Sequence, residues 1–252
     1  MTEEQIKLYF ERIGLEYDKN EPQGIDQLNK IQYAHITHVP YENTEIVDGH
    51  PLSLEEDDLF QKIVTERRGG YCFEQNGLLA CVLRSMGYEI EEYMGRFLRG
   101  ETEIPMPRHR VLAVKIQGKI ILCEVGIGSD APYHTLEIVN GKEQDGYRFV
   151  KDDLLGTVLE EYVDGKWSPF FSFTECKQIN KDYIPLSYYC ENHPSSIFHT
   201  NMLSLKTPDG RVTIDGNTFR IRSNGEITFE KEMTESELCE ICPRYFGMTL
   251  HR

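Results

Sequence analysis

Apolar positions along the chain follow two periodicities, changing near residue 88. Before that point they recur at helical spacing. Thr2 and Gln5 have the separation of a capping box and open an amphipathic stretch, "EEQIKLYFER". Ser53 and Glu56 have the same spacing and lead into "DLFQKIV", where Leu59, Phe60, Ile63 and Val64 make one apolar face. Pro40 and the pair Gly69 and Gly70 punctuate this helical third. After Cys72, apolar residues at Phe73, Leu78, Leu79, Val82, Leu83 and Met86 keep helical spacing until Gly87. Cys72 is thereby predicted at a helix N-terminus.

From about Glu89 the pattern becomes that of strands. "HRVLAVKI" and "KIILCEVGIG" flank Gln117-Gly118, and a two-residue hairpin loop there pairs 116 with 119, 113 with 122 and 111 with 124. His109 and Glu124 then become diagonal neighbours on one face, a separation of about 7–8 Å that long side chains can bridge. "YRFV", "TVLEEYV" and "KWSPFFSF" continue the β pattern to about residue 175, consistent with a small barrel. "NHPSSIFHTNMLSLKTPDG" has turn and loop chemistry and reads as a connector. The last part predicts three strands joined at Asp215-Gly216 and Asn224-Gly225, then a capped helix, "TESELCEICPRYFG", ending near Pro243.

Composition narrows the class. The chain has 252 residues, 39% hydrophobic and 27% charged, and no apolar run approaches the roughly 20 residues that a membrane helix needs. Acidic residues stand where a signal peptide would carry positive charge, so a cytoplasmic location is expected. The seven cysteines are odd in number and scattered, a poor disulfide framework. Cys239 and Cys242 form a C-x-x-C without a second ligand pair, so no metal is expected. A formal charge of −15 argues against nucleic acid or an anionic membrane as partner, while leaving room for a local basic pocket.

The candidate chemistry centres on "RRGGYCFEQN". A cysteine at a helix N-terminus gains thiolate character from the helix dipole and free N–H groups, and Arg67 and Arg68 could add to it. Gly69 and Gly70 allow a sharp turn and close approach of a substrate. The plain alternative is an inert core cysteine. A thiolate used in acyl transfer wants a histidine oriented by a third group. Histidines stand at 35, 38, 50, 109, 134, 193, 199 and 251, and only His109 has a companion, Glu124, in predicted register.

With these elements in place, the chain resembles the arylamine N-acetyltransferase family through "YFERIG", "HVPYENTEI", "RRGGYCFEQN", "RHRVLAV", "CEVGIG" and "NHPSSIF". The resemblance implies an α+β fold with a helical bundle (1–88), a β-barrel (89–187), a connector (188–211) and an α/β lid (212–252), with a cysteine-protease-like triad. It implies Cys72 as nucleophile, His109 as base and Glu124 at a position where the family usually has Asp. It further implies ping-pong transfer from acetyl-CoA to arylamines, arylhydrazines or N-hydroxyarylamines. Tyr41, Ile127 and Phe198 would surround the acceptor, and Gly126, Gly128 and Arg108 would contact CoA. Two alternatives share the fold: an amide synthase, and a CoA-binding homologue without catalysis. A thioester hydrolase with a similar triad is a third.

Overall fold

The capping box at the N-terminus forms as its spacing predicts. In a computed structural model that describes residues 1–250, Thr2 Oγ1 accepts the Gln5 N–H and Gln5 Oε1 accepts the Thr2 N–H, opening α1 (Glu3–Arg12). Arg12, buried at the end of this helix, donates to the carbonyls of Ile63, His38 and Arg68. One guanidinium thus ties α1 to α2 (Ile25–His38) and to the segment before Cys72. After a short α3 (Thr44–Val47), α4 (Glu56–Phe60) runs on as a π-helical turn, Gln61–Thr65. Leu59, Phe60, Ile63 and Val64 are buried as expected. Ser53 does not cap this helix: Glu55 is the N-cap, and the Ser53 hydroxyl donates to Asp58. The backbone is still extended at Glu55, which leaves the serine short of the first turn. Then comes α5 (Cys72–Ser85), whose apolar positions join the bundle core.

The β region begins with β1 (Glu89–Phe97), β2 (His109–Ile116) and β3 (Lys119–Cys123). Gln117 and Gly118 both have positive φ, and the predicted register holds, with Ile116 facing Lys119 and Ala113 facing Leu122. Two short strands, β4 (Leu136–Glu137) and β5 (Glu143–Gln144), precede β6 (Tyr147–Asp152), β7 (Gly156–Val163) and β8 (Lys166–Lys177). All eight form one antiparallel sheet in the order β4-β3-β2-β1-β8-β7-β6-β5. Its ends meet through Gln144, which bonds both the N–H and the C=O of Glu137 at 2.9 and 2.8 Å. The result is a nearly closed barrel around Phe149, Phe170, Phe171 and Phe173.

A helix, α6 (Asn180–Asn192), follows, with Pro185 inside it. The stretch read as a connector carries a strand, β9 (Met202–Thr207), because alternating "MLSLKT" is bracketed by turn residues that mask it. With β10 (Gly210–Asp215), β11 (Thr218–Ser223) and β12 (Glu226–Glu232) it makes a four-stranded antiparallel sheet, covered by α7 (Glu235–Tyr245). That helix continues two residues beyond Pro243, because a proline in the last turn forfeits only one helical bond. Cys242 is buried on the core-facing side of α7, and no metal-holding cluster of His, Cys, Asp and Glu occurs among the described residues. No helix among them is long and apolar enough to cross a membrane. His251 lies outside the described residues.

Bundle and C-terminal sheet are joined at Tyr41, which exchanges both backbone hydrogen bonds with Ser204 of β9, at 2.8 and 2.9 Å. Its neighbour Glu42 donates its N–H to Gly70 O. Beneath this junction His35 is fully buried, its Nδ1 accepting from the Tyr9 hydroxyl and its Nε2–H donating to Gln75 Oε1. Gln75 in turn donates to the carbonyls of Pro40 and Gly70. Burial holds the His35 imidazole down to about 3 from its ordinary 6.5. Below pH 6.5 the unfolded chain therefore takes up a proton that the folded one refuses, and stability is lost as the pH falls toward 3. His35→Asn is expected to cost about 2 kcal/mol at pH 8. Below pH 6.5 its stability gap to the parent should narrow by about 1.4 kcal/mol per pH unit. Urea titrations at three pH values check this, and a constant gap would refute it.

Candidate active site

The turn before Cys72 is shaped by backbone contact. A Cβ on Gly69 would lie 2.0 Å from Pro40 O, so only glycine lets these segments touch. Arg67 and Arg68 do not face the sulfur. Arg68 donates to Glu42 at 3.0 Å and to the Thr44 hydroxyl at 2.8 Å, and Arg67 is exposed with a left-handed backbone. Both arginines build the turn, and neither supplies charge to the thiol.

Cys72 starts α5 as predicted, following Tyr71, whose N–H is accepted by Glu74 at 3.1 Å. It is 4% exposed. Its thiol donates to the Arg108 carbonyl at 3.6 Å. Burial pushes this thiol up, reinforced by Cys190, while the backbone N–H groups of Arg110 and Phe73 directed at the sulfur favour its anion. Burial thus favours the thiol over its anion.

His109 opens β2 and is 3% exposed, with Phe171 edge-on to its ring at 5.3 Å. Its Nε2 lies 2.8 Å from Glu124 Oε2. An ionised carboxylate only accepts, so Nε2 carries the hydrogen and Nδ1 keeps its lone pair. Glu124, one residue past β3, is fully buried. Its second oxygen accepts from Asn76 Nδ2 at 2.8 Å and from the Gly126 N–H at 2.6 Å. The Glu124 N–H donates to Gln32 of α2 at 2.9 Å.

Asn76 was not singled out from sequence, yet it spans the site. Its amide also donates to Arg110 O at 2.6 Å and its carbonyl accepts from the Val125 N–H at 3.1 Å. Arg110 was missed too. Fully buried beside His109, it bonds Glu92, Phe73 O and Asn180, joining barrel, nucleophile helix and α6. The only signal was polarity inside apolar runs.

Cys72 and His109 line one cavity of about 630 Å³. Tyr41, Ile127, Phe198, Gly126 and Arg108 line it as well. Gly126 presses on Cys72: a Cβ there would come within 2.9 Å of the Cys72 Cα. Gly128, with positive φ, packs against Ser204 and Tyr41 behind the wall. On the C-terminal side the lining includes Arg211, Arg220 and Arg222, with Arg99 from the end of the barrel. Five arginines on one cavity give a chain of net charge −15 a local basic face. Such a site can support acyl transfer through a thioester, with an anionic carrier as donor.

A model of a family described as N-acetyltransferase matches residues 24–252. The chain is 30% identical to an arylamine N-acetyltransferase of Mycolicibacterium smegmatis, over 96% of this chain and 91% of that protein. An arylamine N-acetyltransferase structure from Salmonella typhimurium superposes with a TM-score of 0.92 at 24% identity, covering 100% of this chain and 93% of the other. One from Bacillus cereus, reported to have a unique Cys-His-Glu catalytic triad, superposes at 0.90 with 22% identity, covering 99% and 100%.

Asn76→Ala strips partners from Glu124, Arg110 O and the Val125 N–H together. It is expected to lower stability by about 3 kcal/mol, each orphaned buried group costing about 1–3 kcal/mol. Urea unfolding measures it, and a loss under 1 kcal/mol would mean that the network is slack.

Proposed function

The chain belongs to the arylamine N-acetyltransferase family, and from that premise we propose that it transfers acetyl from acetyl-CoA to arylamines, arylhydrazines or N-hydroxyarylamines through an acetyl-thioester on Cys72. The observation that carries this reading is the buried His109–Glu124 pair, with His109 lining the same cavity as Cys72.

The His109 Nδ1 lone pair takes the Cys72 proton as the sulfur attacks the thioester carbonyl. The imidazolium so formed is stabilised by Glu124, which also fixes the tautomer. Backbone N–H groups at the start of α5 stabilise the oxyanion, and CoA leaves as its thiol. An amine then attacks acetyl-Cys72, and His109 accepts the amine proton. A glutamate in the acid position matches the triad reported for the Bacillus cereus protein. Asn76 and Gly126 hold one oxygen of that carboxylate while the other meets the imidazole, which accommodates the extra methylene.

The donor set suits CoA. Among the described residues the Arg222 side chain, on β11, has no hydrogen-bonding or ionic partner, and with Arg211 and Arg220 it would offer a phosphate-binding face on the C-terminal sheet. Tyr41, Phe198 and Ile127 form the acceptor walls nearer the sulfur.

Brief exposure to acetyl-CoA without acceptor is expected to raise the intact mass by one acetyl group. Cys72→Ala should abolish the increase, and an arylamine should discharge it. Glu124→Gln should fold normally yet acetylate Cys72 slower by roughly a hundredfold or more. Absence of acetylation in the parent would overturn the transferase reading, and steady CoA release without an amine would make the protein a hydrolase.

A further inference from the structure

A second cavity, of about 450 Å³, shares no lining residue with the catalytic one. Tyr33 of α2, Tyr133 after β3 and Tyr147 of β6 give it aromatic walls, the first two rings 6.0 Å apart and tilted by 33°. Lys206 of β9 lines it too, and is only 8% exposed. Its Nζ donates to the Ser129 and Ala131 carbonyls at 3.2 and 2.5 Å and lies 4.0 Å over the Tyr133 ring. Among the described residues no carboxylate pairs with it.

That lack sets Lys206 apart. The other buried lysine, Lys62, is held by Glu45 at 2.6 Å and Glu74 at 2.7 Å, as a buried charge ordinarily is. Without such a counter-charge, burial brings the Lys206 ammonium down from 10.5 to about 8, although Asp130 pulls the other way. An ammonium has three donors, and the two carbonyls take two of them. A carboxylate in the cavity would meet the third in a charge-assisted bond and supply the missing negative charge. Its ring would lie against the tyrosines, in a cavity of the size that small ligands occupy. The acid in the lining, Asp145, is exposed, as is His134, so solvent screens both from a buried anion.

We propose that this cavity is a second ligand site, taking a small aromatic carboxylate whose anion pairs with Lys206 while its ring rests among Tyr33, Tyr133 and Tyr147. The site stands behind the catalytic wall: Lys206 holds the residues on either side of Asp130, which bridges Arg99 and Arg211. It does not depend on the transferase reading.

Calorimetric titration of the full chain with benzoate and neutral benzamide tests it, in the parent, Lys206→Met and Tyr33→Ala. The parent is expected to bind benzoate about tenfold or more tightly than benzamide, and Lys206→Met to erase that preference. Tyr33 is exposed and lines only this cavity, so Tyr33→Ala should fold and weaken benzoate by about three- to tenfold. No benzoate binding, or equal binding of the two ligands by the parent, would overturn the site. So would a preference retained in Lys206→Met. Affinity unmoved by Tyr33→Ala would place the ligand elsewhere and refute the assignment, a comparison that holds even if Lys206→Met fails to fold.

Discussion

The fold around the site is organised by one dehydrated carboxylate. Glu124 has no contact with water, and an unpaired ion there would cost several kcal/mol. Its charge is tolerable only because His109, Asn76 and the Gly126 N–H converge on it from three directions. Those partners come from β2, α5 and the turn after β3, while Gln32 of α2 holds the Glu124 backbone. Bundle and barrel therefore dock in the one arrangement that satisfies this oxygen pair. The same docking brings Cys72 and His109 to line one cavity, so the demand of a buried charge and the shape of the site are met by one set of bonds.

What the sequence disclosed and what it hid follow from the range of each interaction. The β2–β3 register was legible because Gln117-Gly118 fixes the parity of the loop, and parity places His109 and Glu124 on one side. Cys72 at a helix start was legible from the glycine pair and the apolar spacing that follows. Asn76, Gln32 and Arg110 were not, since each looks like an ordinary polar helix or strand residue until its partner, 48, 92 or 37 positions away, is brought to it. The two arginines before Cys72 misled for a related reason: proximity in sequence suggested charge beside sulfur, whereas Arg68 is claimed by Glu42 across the turn. β9 was hidden because local turn residues outweigh a six-residue alternation that pays only when Tyr41 and β10 flank it.

Burial of the nucleophile raises a difficulty that the site resolves internally. Removing the thiol from water disfavours its anion, yet the thiolate is the attacking species. A permanently ionised sulfur would require a permanent cation beside it, and neither Arg68, held by Glu42, nor the exposed Arg67 supplies one. In the proposed cycle the thiolate forms when His109 accepts its proton, with Glu124 stabilising the imidazolium. On that reading the buried sulfur is quiet toward solvent until a carbonyl enters the cavity.

The charge pattern carries the same logic to longer range. A chain of net charge −15 repels phosphates at a distance, and screening confines any attraction to about 8–10 Å. The arginines of the cavity therefore act only on a ligand already at its mouth. Asp130 sits between Arg99 of the barrel and Arg211 of the C-terminal sheet, so their mutual repulsion is replaced by a bridge across the two layers. That bridge fixes the wall where barrel and C-terminal sheet meet, and among the described residues it leaves Arg222 as a cavity arginine whose side chain has no partner.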